Sequence, residues 1–285
     1  MRCLVTGHMG FIGSELYREL ISLGHDVKGI DLKNGRDVIV TLDPDSTDEE
    51  FRDWIPDCIF HLACIPRVAY SVEEPLKTAR NNILATSVVL AYAKKNRVSR
   101  VVYSGSSSVV GNGSGPMSPY AMHKLASEME CVIYSNLYDL DTVTLRYFNV
   151  YSEKKEDGNP YATAIAKWRH SIKNNINPFI TGDGKQRRDM SHLLDVVSAN
   201  IFCMNHENDF KGSVYDVGTG TNISLNEIKE IVFSKDPSIN FEYVDRRPGD
   251  VLETLADMGP LKKIGWSPCV ALHTGVEKCF EEFEK

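Results

Sequence analysis

A tyrosine and a lysine one helical turn apart are the first candidates for chemistry. In the stretch "SPYAMHKLASE", Tyr120 and Lys124 stand at positions i and i+4 of a predicted helix, so their side chains share one face. A free phenol has a pKa of about 10 and is a poor base at neutral pH, but a neighbouring ammonium lowers that pKa. Ser106, in a serine cluster upstream, offers a hydroxyl that can hold a substrate hydroxyl in line. The three residues predict proton removal from an alcohol, although this Tyr–Lys spacing is also common at ordinary helix starts.

Three glycines near the amino terminus indicate a second functional feature, a turn that can bind phosphate. The stretch "LVTGHMGFIG" places Gly7, Gly10 and Gly13 where a predicted strand meets a predicted helix. Glycine lets another group approach the backbone closely, and a helix amino terminus carries unpaired N–H groups and a partial positive charge. Together these features predict a phosphate cradle, with an ordinary tight turn as the alternative.

An acidic residue at the end of the next predicted strand favours a dinucleotide. Asp31 closes "HDVKGID", 18 positions after Gly13. That spacing is close to the roughly 20 residues expected of a carboxylate that bonds a ribose 2′-hydroxyl. Because the carboxylate would repel a 2′-phosphate, NAD is favoured over NADP, and Lys33 nearby weakens this preference slightly.

The elements that must position these residues alternate between strand and helix. Strands are predicted at 1–6, 25–31, 56–64, 98–105 and 141–148, and helices at 11–23, 76–96 and 120–137. Such alternation is typical of an α/β fold with a doubly wound parallel sheet and helices on both faces. Ligands of these sheets bind beyond the carboxyl ends of the strands, which is where the candidate residues fall.

The pattern loosens after Asn149. Further helices are predicted at 161–174, 192–205, 224–234 and 271–284, with a strand at 214–218. We interpret residues 1–150, together with about 189–218, as a Rossmann-type dinucleotide-binding domain. Residues 151–188 and 219–285 then form a smaller, partly interleaved C-terminal domain that binds the substrate.

Composition narrows the class of protein. With 285 residues, 42% hydrophobic and 25% charged, the chain has the composition of an ordinary globular enzyme. A net charge of −7 argues against nucleic acid or an anionic membrane as the main partner. No apolar run approaches the ~20 residues needed to cross a bilayer, and we expect no export signal. Seven unclustered cysteines suit reduced thiols in the cytoplasm.

The chain resembles the extended short-chain dehydrogenase/reductase family, specifically its NAD-dependent nucleotide-sugar epimerases and dehydratases. The resemblance covers nearly the whole chain and depends on the order of several motifs. These are T-G-x-x-G-x-x-G (6–13), "HLA" (61–63), Asn82 in "NNILAT", Ser106 with Tyr120 and Lys124, "LRYFNVY" (145–151), "GDGKQRRDMSH" (182–192) and "RRPGD" (246–250).

The resemblance implies a role for each matching residue. Catalysis would fall to Ser106, Tyr120 and Lys124. Substrate binding would fall to Asn149, Arg188 and Arg247, with both arginines neutralising a diphosphate. The NAD-binding residues would be Gly7, Gly10, Phe11, Ile12, Gly13, Asp31, Leu62, Ala63, Tyr120, Lys124 and Tyr147.

Within that family, the chain is most similar to the UDP-glucose and UDP-N-acetylglucosamine 4-epimerases. Their mechanism implies that Tyr120 removes a proton from the sugar while NAD oxidises it transiently to a 4-keto sugar. Dehydratases carry acidic residues just after the catalytic Ser or Thr, where this chain has Ser107 and Ser108. An NAD(P)H-dependent reductase or dehydratase of the same family is the alternative, and a non-catalytic dinucleotide-binding protein is a more distant one.

Three departures from the family pattern affect the expected sugar pocket. Val110 replaces a tyrosine, Ser152 replaces a glycine, and only 13 residues separate Ser106 from Tyr120. The shorter stretch would leave the pocket open to bulky or N-acetylated sugars.

Two further expectations concern assembly and metals. By the same resemblance, apolar faces of helices 76–96 and 120–137 would pair in a homodimer, although core burial explains the same periodicity. His61, His123 and His192 lack metal-ligand spacing, so we expect no metal and a hydrogen-bonded structural role for each histidine.

Overall fold

A computed structural model describes residues 1–111, 113–154, 163–246 and 251–283 of the chain. These residues form two compact units. Unit 1 comprises 1–109, 116–146 and 196–215, and unit 2 comprises 110–115, 147–195 and 216–285. Among the described residues, no helix combines the length and apolar character needed to span a membrane.

Strands and helices are numbered in chain order. The strands are β1 (Arg2–Thr6), β2 (Asp26–Ile30), β3 (Cys58–His61), β4 (Arg100–Ser106), β5 (Asp141–Tyr147), β6 (Phe179–Thr181), β7 (Arg187–Arg188), β8 (Ser213–Val217), β9 (Ile223–Ser224), β10 (Glu242–Val244) and β11 (Glu253–Thr254). The helices are α1 (Phe11–Ser22), α2 (Val38–Thr41), α3 (Glu49–Asp53), α4 (Val68–Glu73), α5 (Pro75–Ala79), α6 (Ala85–Lys95), α7 (Pro119–Tyr138), α8 (Ala164–Lys173), α9 (Leu193–Asn205), α10 (Leu225–Lys235), α11 (Gly259–Lys263) and α12 (Leu272–Lys278).

A six-stranded sheet in the order β2-β1-β3-β4-β5-β8 organises unit 1. Strand β1 pairs in parallel with both β2 and β3, and β3 pairs in parallel with β4. The strand order reverses between β1 and β3, and in such sheets ligands bind at this switch point, beyond the carboxyl ends of the strands. The predicted α/β, Rossmann-type fold is confirmed.

The central strands are buried because their residues are apolar on both faces. Leu4, Ile59, Val101 and Tyr103 belong to one buried cluster, which α6 completes with residues such as Tyr92. Runs of this kind are typical of parallel strands that are covered by helices on both sides. The resulting core holds the carboxyl ends of β1, β3 and β4 side by side.

Helix α7, which carries Tyr120 and Lys124, has a well-defined start. The Ser118 hydroxyl accepts a hydrogen bond from the Ala121 amide at 3.2 Å, and Pro119 occupies the first helical position. A serine cap followed by proline is a favoured helix beginning, because each satisfies or removes an orphan amide.

Unit 2 has its own core and two small sheets. Strand β10 pairs with β6, and β7 lies between β11 and β9. Buried side chains that include Tyr151, Trp168, Ile228 and Phe280 form its apolar cluster.

The structure departs from the predicted elements in several regions. The single helix predicted over 76–96 is α5, a π-helical turn at Arg80–Leu84, and α6. The short strands of unit 2 and the helices α2, α3, α4 and α11 were not predicted. Strands of two or three residues are too short to show a period-2 pattern, which explains the failure in unit 2.

Candidate active site

The glycine turn after β1 packs tightly against the segment that follows β3. Gly7 has φ of +73°, a conformation that favours glycine, and a Cβ added there would lie 2.8 Å from the Ala63 amide nitrogen. A Cβ added to Gly13 would collide with the Gly7 carbonyl oxygen. The turn, Leu62 and Ala63 therefore form one continuous backbone surface at the switch point.

The amino terminus of α1 opens directly from this turn. Gly10 is its cap residue and has no side chain to satisfy the helix amides, and no acidic residue stands in the first turn. Phe11 and Ile12 begin the helix. The N–H groups and the helix dipole of this 12-residue helix make a favourable environment for a diphosphate.

Asp31 is fixed beside the turn by two backbone amides. Its carboxylate accepts hydrogen bonds from the Met9 amide at 3.0 Å and from the Lys33 amide at 2.9 Å. A carboxylate has about four lone-pair sites, so Asp31 can still accept from ribose hydroxyls. The Lys33 ammonium donates to the Met9 carbonyl at 3.1 Å, which ties the same loop together.

Ser106, Tyr120 and Lys124 come together at the carboxyl end of β4. Tyr120 and Lys124 are buried, and the Lys124 ammonium and the Ser106 hydroxyl both act to lower the pKa of the Tyr120 phenol. The Lys124 ammonium donates to the Ser104 carbonyl at 2.6 Å. The Ser106 hydroxyl also lies 2.9 Å from that of Ser108, whose amide donates to it at 3.2 Å.

Burial controls the acidity of the Tyr120 phenol. Loss of hydration raises its pKa to about 12, although the Lys124 ammonium and the Ser106 hydroxyl act to lower it. Lys124 acts in the expected direction, but desolvation of the phenol outweighs it.

A serine from α4 fixes the backbone of Tyr120. The hydroxyl of Ser71, which is fully buried, accepts a hydrogen bond from the Tyr120 amide at 3.0 Å and donates to the Val68 carbonyl at 2.6 Å. This contact satisfies an amide that the helix itself leaves unpaired. Sequence reasoning missed Ser71, since nothing in its local pattern links it to a residue 49 positions away.

His61 lies beneath the site as a neutral ring in a chain of hydrogen bonds. Its Nδ1 is 2.7 Å from the Thr6 hydroxyl and its Nε2 is 3.1 Å from the Thr86 hydroxyl. Thr86 donates to the Asn82 carbonyl at 2.8 Å, so it must accept from a protonated Nε2. Burial, together with the Lys124 ammonium, lowers the pKa of His61 to about 3. This histidine has the expected hydrogen-bonded structural role.

The other two histidines differ from each other. His192 Nε2 lies 2.9 Å from a Glu153 carboxylate oxygen. His123 Nδ1 is buried without a hydrogen-bond partner, so the expected bonded role fails there. In the described parts of the chain, no group of three or more His, Cys, Asp or Glu side chains is arranged to hold a metal ion.

Asn82 links three segments around the site. It lies in the π-helical turn, and its side chain forms two hydrogen bonds with the backbone of Ile65, at 2.7 and 3.2 Å. Its carbonyl accepts from Thr86 and from Ser127 of α7, the latter at 3.1 Å. The motif residue Asn82 thus connects the loop after β3 to the helix of Tyr120 and Lys124.

The residues expected to bind substrate belong to unit 2. Asn149 has φ of +38°, and its side-chain amide donates to the Asp189 carbonyl at 2.7 Å. Arg188 is partly buried and donates to the Arg187 carbonyl at 2.9 Å. Tyr147, which is expected to bind NAD and not the substrate, is buried at the end of β5. Arg247 lies outside the described residues.

The neighbouring Arg187 has a structural role. Its guanidinium donates to the Asn222 side chain at 2.6 Å and to the Glu227 carboxylate at 2.6 Å. Of the arginine pair in "GDGKQRRDMSH", Arg188 therefore stays the candidate for phosphate.

Comparison with known proteins identifies the family. Residues 3–218 match the model of the NAD dependent epimerase/dehydratase family, and the chain belongs to that family. A UDP-glucose 4-epimerase of Mycolicibacterium smegmatis is 32% identical, over 99% of this chain and 98% of the relative.

Two solved structures are similar over nearly their whole length. A UDP-N-acetylglucosamine 4-epimerase from Methanobrevibacter ruminantium, solved with UDP-N-acetylmuramic acid, has a TM-score of 0.88 and 31% identity, with coverage of 99% and 97%. A UDP-glucose 4-epimerase from Thermus thermophilus, solved with NAD, has a TM-score of 0.85 and 26% identity, with coverage of 99% of both chains. The open helix terminus, the close-packed glycine turn and the oriented Asp31 fit the NAD of this family.

Proposed function

We propose that this protein is an NAD-dependent nucleotide-sugar 4-epimerase that acts on a UDP-hexose or a UDP-N-acetylhexosamine. The observation that carries the proposal is the buried contact of Ser106, Tyr120 and Lys124 at the carboxyl end of β4, in the same unit as the glycine turn. The named activities of similar proteins support the same conclusion.

In this proposal Gly7, Gly10, Phe11, Ile12 and Gly13 hold the NAD diphosphate. Asp31 would bond the adenosine ribose, and Leu62 and Ala63 would line the cofactor cleft. Tyr147 would lie against the nicotinamide end, and Lys124 would bond the nicotinamide ribose. Bound NAD supplies a positive charge and a reversible acceptor for the hydrogen and electron pair of the sugar carbon. Its charge adds to that of Lys124 and so favours the phenolate of Tyr120.

Tyr120 then acts as the general base. Its phenolate removes the proton from the sugar 4-hydroxyl, and Ser106, whose hydroxyl acts to lower the phenol pKa, aligns that sugar hydroxyl. After the sugar has turned over, Tyr120 returns the proton to the oxygen on the opposite face. The cycle would leave no net redox change, because the hydrogen and electron pair accepted from the sugar carbon would return to that carbon.

Unit 2 contains the residues that bind the substrate in this proposal. Asn149, Arg188 and Arg247 bind the UDP diphosphate, because guanidinium groups match phosphate oxygens in charge and geometry. We assign 1–150 with about 189–218 to NAD binding, and 151–188 with 219–285 to nucleotide-sugar binding. Ser107 and Ser108 provide no carboxylic acid after Ser106, which disfavours the dehydratase alternative.

Incubation of the purified protein with UDP-galactose and with UDP-N-acetylgalactosamine tests the proposal. We expect conversion to the gluco epimer without a net change in nicotinamide absorbance. Stoichiometric oxidation of NADPH on a 4-keto sugar would instead identify a reductase. Loss of water from the sugar would identify a dehydratase, and the absence of any turnover with bound NAD would leave a binding protein.

We propose further that the protein is a cytoplasmic homodimer. Helix α7 exposes Met122, Met129, Ile133 and Leu137, which are spaced along one helical face, and Leu76 on α5 is 86% exposed. Exposed apolar patches of this kind mark protein–protein interfaces. All seven cysteines are free thiols, which supports a reducing compartment.

A further inference from the structure

We propose that Tyr103 is a positioning residue, because the face of its ring holds the Lys124 ammonium where it acts on Tyr120. The inference builds on the proposed function. Tyr103 lies on β4, three residues before Ser106, and Lys124 Nζ is 4.9 Å from the centroid of its ring. A cation within about 6 Å of an aromatic face is attracted by the ring quadrupole, most strongly when both groups are desolvated.

The surroundings of Lys124 make this contact important. The side chain is buried, with 2% exposure, so its ammonium has lost most of its hydration. Across the described residues no carboxylate forms an ion pair with Lys124; its stabilising neighbours are the Ser104 carbonyl, at 2.6 Å, and the Tyr103 ring. A carboxylate would cancel the charge that Tyr120 needs, whereas a carbonyl and a neutral ring hold the ammonium without cancelling it.

The ring itself is rigidly held. Tyr103 is 2% exposed and belongs to the buried apolar cluster around β4. Its ring centroid lies 5.8 Å from that of His61, on the neighbouring strand β3. Close packing on the buried strand therefore keeps the ring beside Lys124.

The other ionisable groups near Lys124 and Tyr103 do not take over the role of the Tyr103 ring in holding the Lys124 ammonium. His61 from β3 faces Lys124 but is kept neutral. Cys64, from the loop after β3, faces Tyr120, and Cys131 and Glu128 from α7 face Tyr103. The Glu128 carboxylate is paired with Arg146 at 2.6 Å.

Two variants of Tyr103 separate the effect of its ring from that of its hydroxyl, and two variants of Tyr92 serve as controls. Tyr103→Phe keeps the ring and should retain kcat and the pH profile, within about twofold. Tyr103→Met removes the ring but refills the space, because methionine adapts to irregular cavities. We expect kcat to fall about tenfold with KM little changed, and the acid limb of the kcat profile to move to higher pH. Tyr92→Phe and Tyr92→Met are the matched controls.

Tyr92 is a suitable control because it is a buried tyrosine of the same apolar cluster, and its hydroxyl donates to the Phe51 carbonyl at 2.6 Å. Its substitutions should lower stability in the same way but leave the pH profile unchanged. If Tyr103→Met has the wild-type pH profile, or if Tyr92→Met shifts it equally, the positioning role is overturned.

A measurement without substrate keeps this inference separate from the proposed function. Denaturant unfolding of Tyr103→Met, Lys124→Met and the double variant should be non-additive, since a shared contact can be lost only once. Tyr92→Met with Lys124→Met should be additive. Additive effects for Tyr103 and Lys124 overturn the ring contact even if the enzyme is active; non-additive effects in a protein without epimerase activity would support the contact while the proposed function fails.

Discussion

Tyr120 shows how much of the proposed chemistry depends on single side chains. Burial raises the pKa of its phenol to about 12, and the two groups that lower it, Lys124 and Ser106, do not compensate in the ligand-free protein. A buried phenol that is protonated at rest becomes a base only in the presence of additional positive charge. We therefore expect proton removal to depend on bound cofactor.

Replacement of Tyr120 by phenylalanine removes the phenol and keeps the ring. Turnover of the UDP sugar should fall by about 100-fold or more, the size typical of the loss of a general base. The unfolding midpoint should change little, which denaturant titration can measure. Retention of most of the turnover would exclude Tyr120 as the base.

Ser71 should matter for catalysis as well as for stability. Ser71→Ala leaves the buried Tyr120 amide without its partner, which should cost about 1–3 kcal/mol and lower kcat. Ser118→Ala removes the cap of the same helix, which should lower the unfolding free energy by about 1 kcal/mol. It leaves the hydrogen bond from the Tyr120 amide to Ser71 in place. Steady-state kinetics beside unfolding curves compare the two variants, and an equal effect on kcat would remove any special role of Ser71.

Sequence patterns predicted the long elements at whose ends the candidate site residues lie. The β1–Gly–α1 unit was readable because apolar runs, glycine spacing and helical periodicity are local properties. The π-helical turn at Asn82 was not readable, because a one-residue change in helical pairing leaves the apolar pattern almost intact. The short strands of unit 2 depend on pairing partners far away in sequence, which no local pattern contains.

The glycine turn between β1 and α1 allows a test at the scale of secondary-structure elements. Gly7 and Gly24 both have positive φ, +73° and +80°, but only at Gly7 would a Cβ meet other backbone atoms. Gly24→Ala should cost roughly 1–2 kcal/mol of backbone strain and leave NAD affinity unchanged. Gly7→Ala should be less stable and should bind NAD much more weakly, as followed by titration calorimetry. Equal NAD affinity in both variants would contradict the proposed role of the glycine turn in binding the NAD diphosphate.

The start of α10 predicts a pH dependence of stability. Hydrogen bonds from Ser224, together with Arg187, lower the pKa of Glu227 from its ordinary value of 4.5 to about 2. Because the folded-state pKa is the lower one, Glu227 stabilises the fold above about pH 4.5 and this contribution is lost as the pH falls toward 2. The difference in unfolding free energy between wild type and Glu227→Gln should therefore shrink over that range. A constant difference would show that the carboxylate is not the stabilising form.

At the scale of the whole molecule, the proposed catalytic residues and the proposed substrate-binding residues belong to different compact units. Ser106, Tyr120 and Lys124 belong to unit 1, whereas Asn149 and Arg188 belong to unit 2. The predicted domain boundary near residue 150 rests on the end of the strand–helix alternation near Asn149, and it stays a prediction. The partners of individual side chains could not be predicted, because Ser71, Tyr103 and Asn82 approach the site only after the chain has folded.

The proposed homodimer can be tested on the exposed face of α7. Ile133 is 47% exposed on that face, and Val40, on α2, is 64% exposed. Ile133→Glu should convert the dimer to a monomer, because an interface would have to bury the new charge, while Val40→Glu should leave the dimer intact. Light scattering coupled to gel filtration reports the mass of each variant. A monomeric wild-type protein would refute the dimer.

The π-helical turn has a consequence for protein engineering. A designer who removed one residue there to regularise the helix would replace an i→i+5 turn by an ordinary i→i+4 turn. The shorter turn could not keep the Asn82 side chain on Ile65 and its carbonyl on two hydroxyl donors while the Tyr92 side of α6 stays in the buried cluster. An irregularity that a backbone-idealising protocol would delete is therefore one that this scaffold needs to keep.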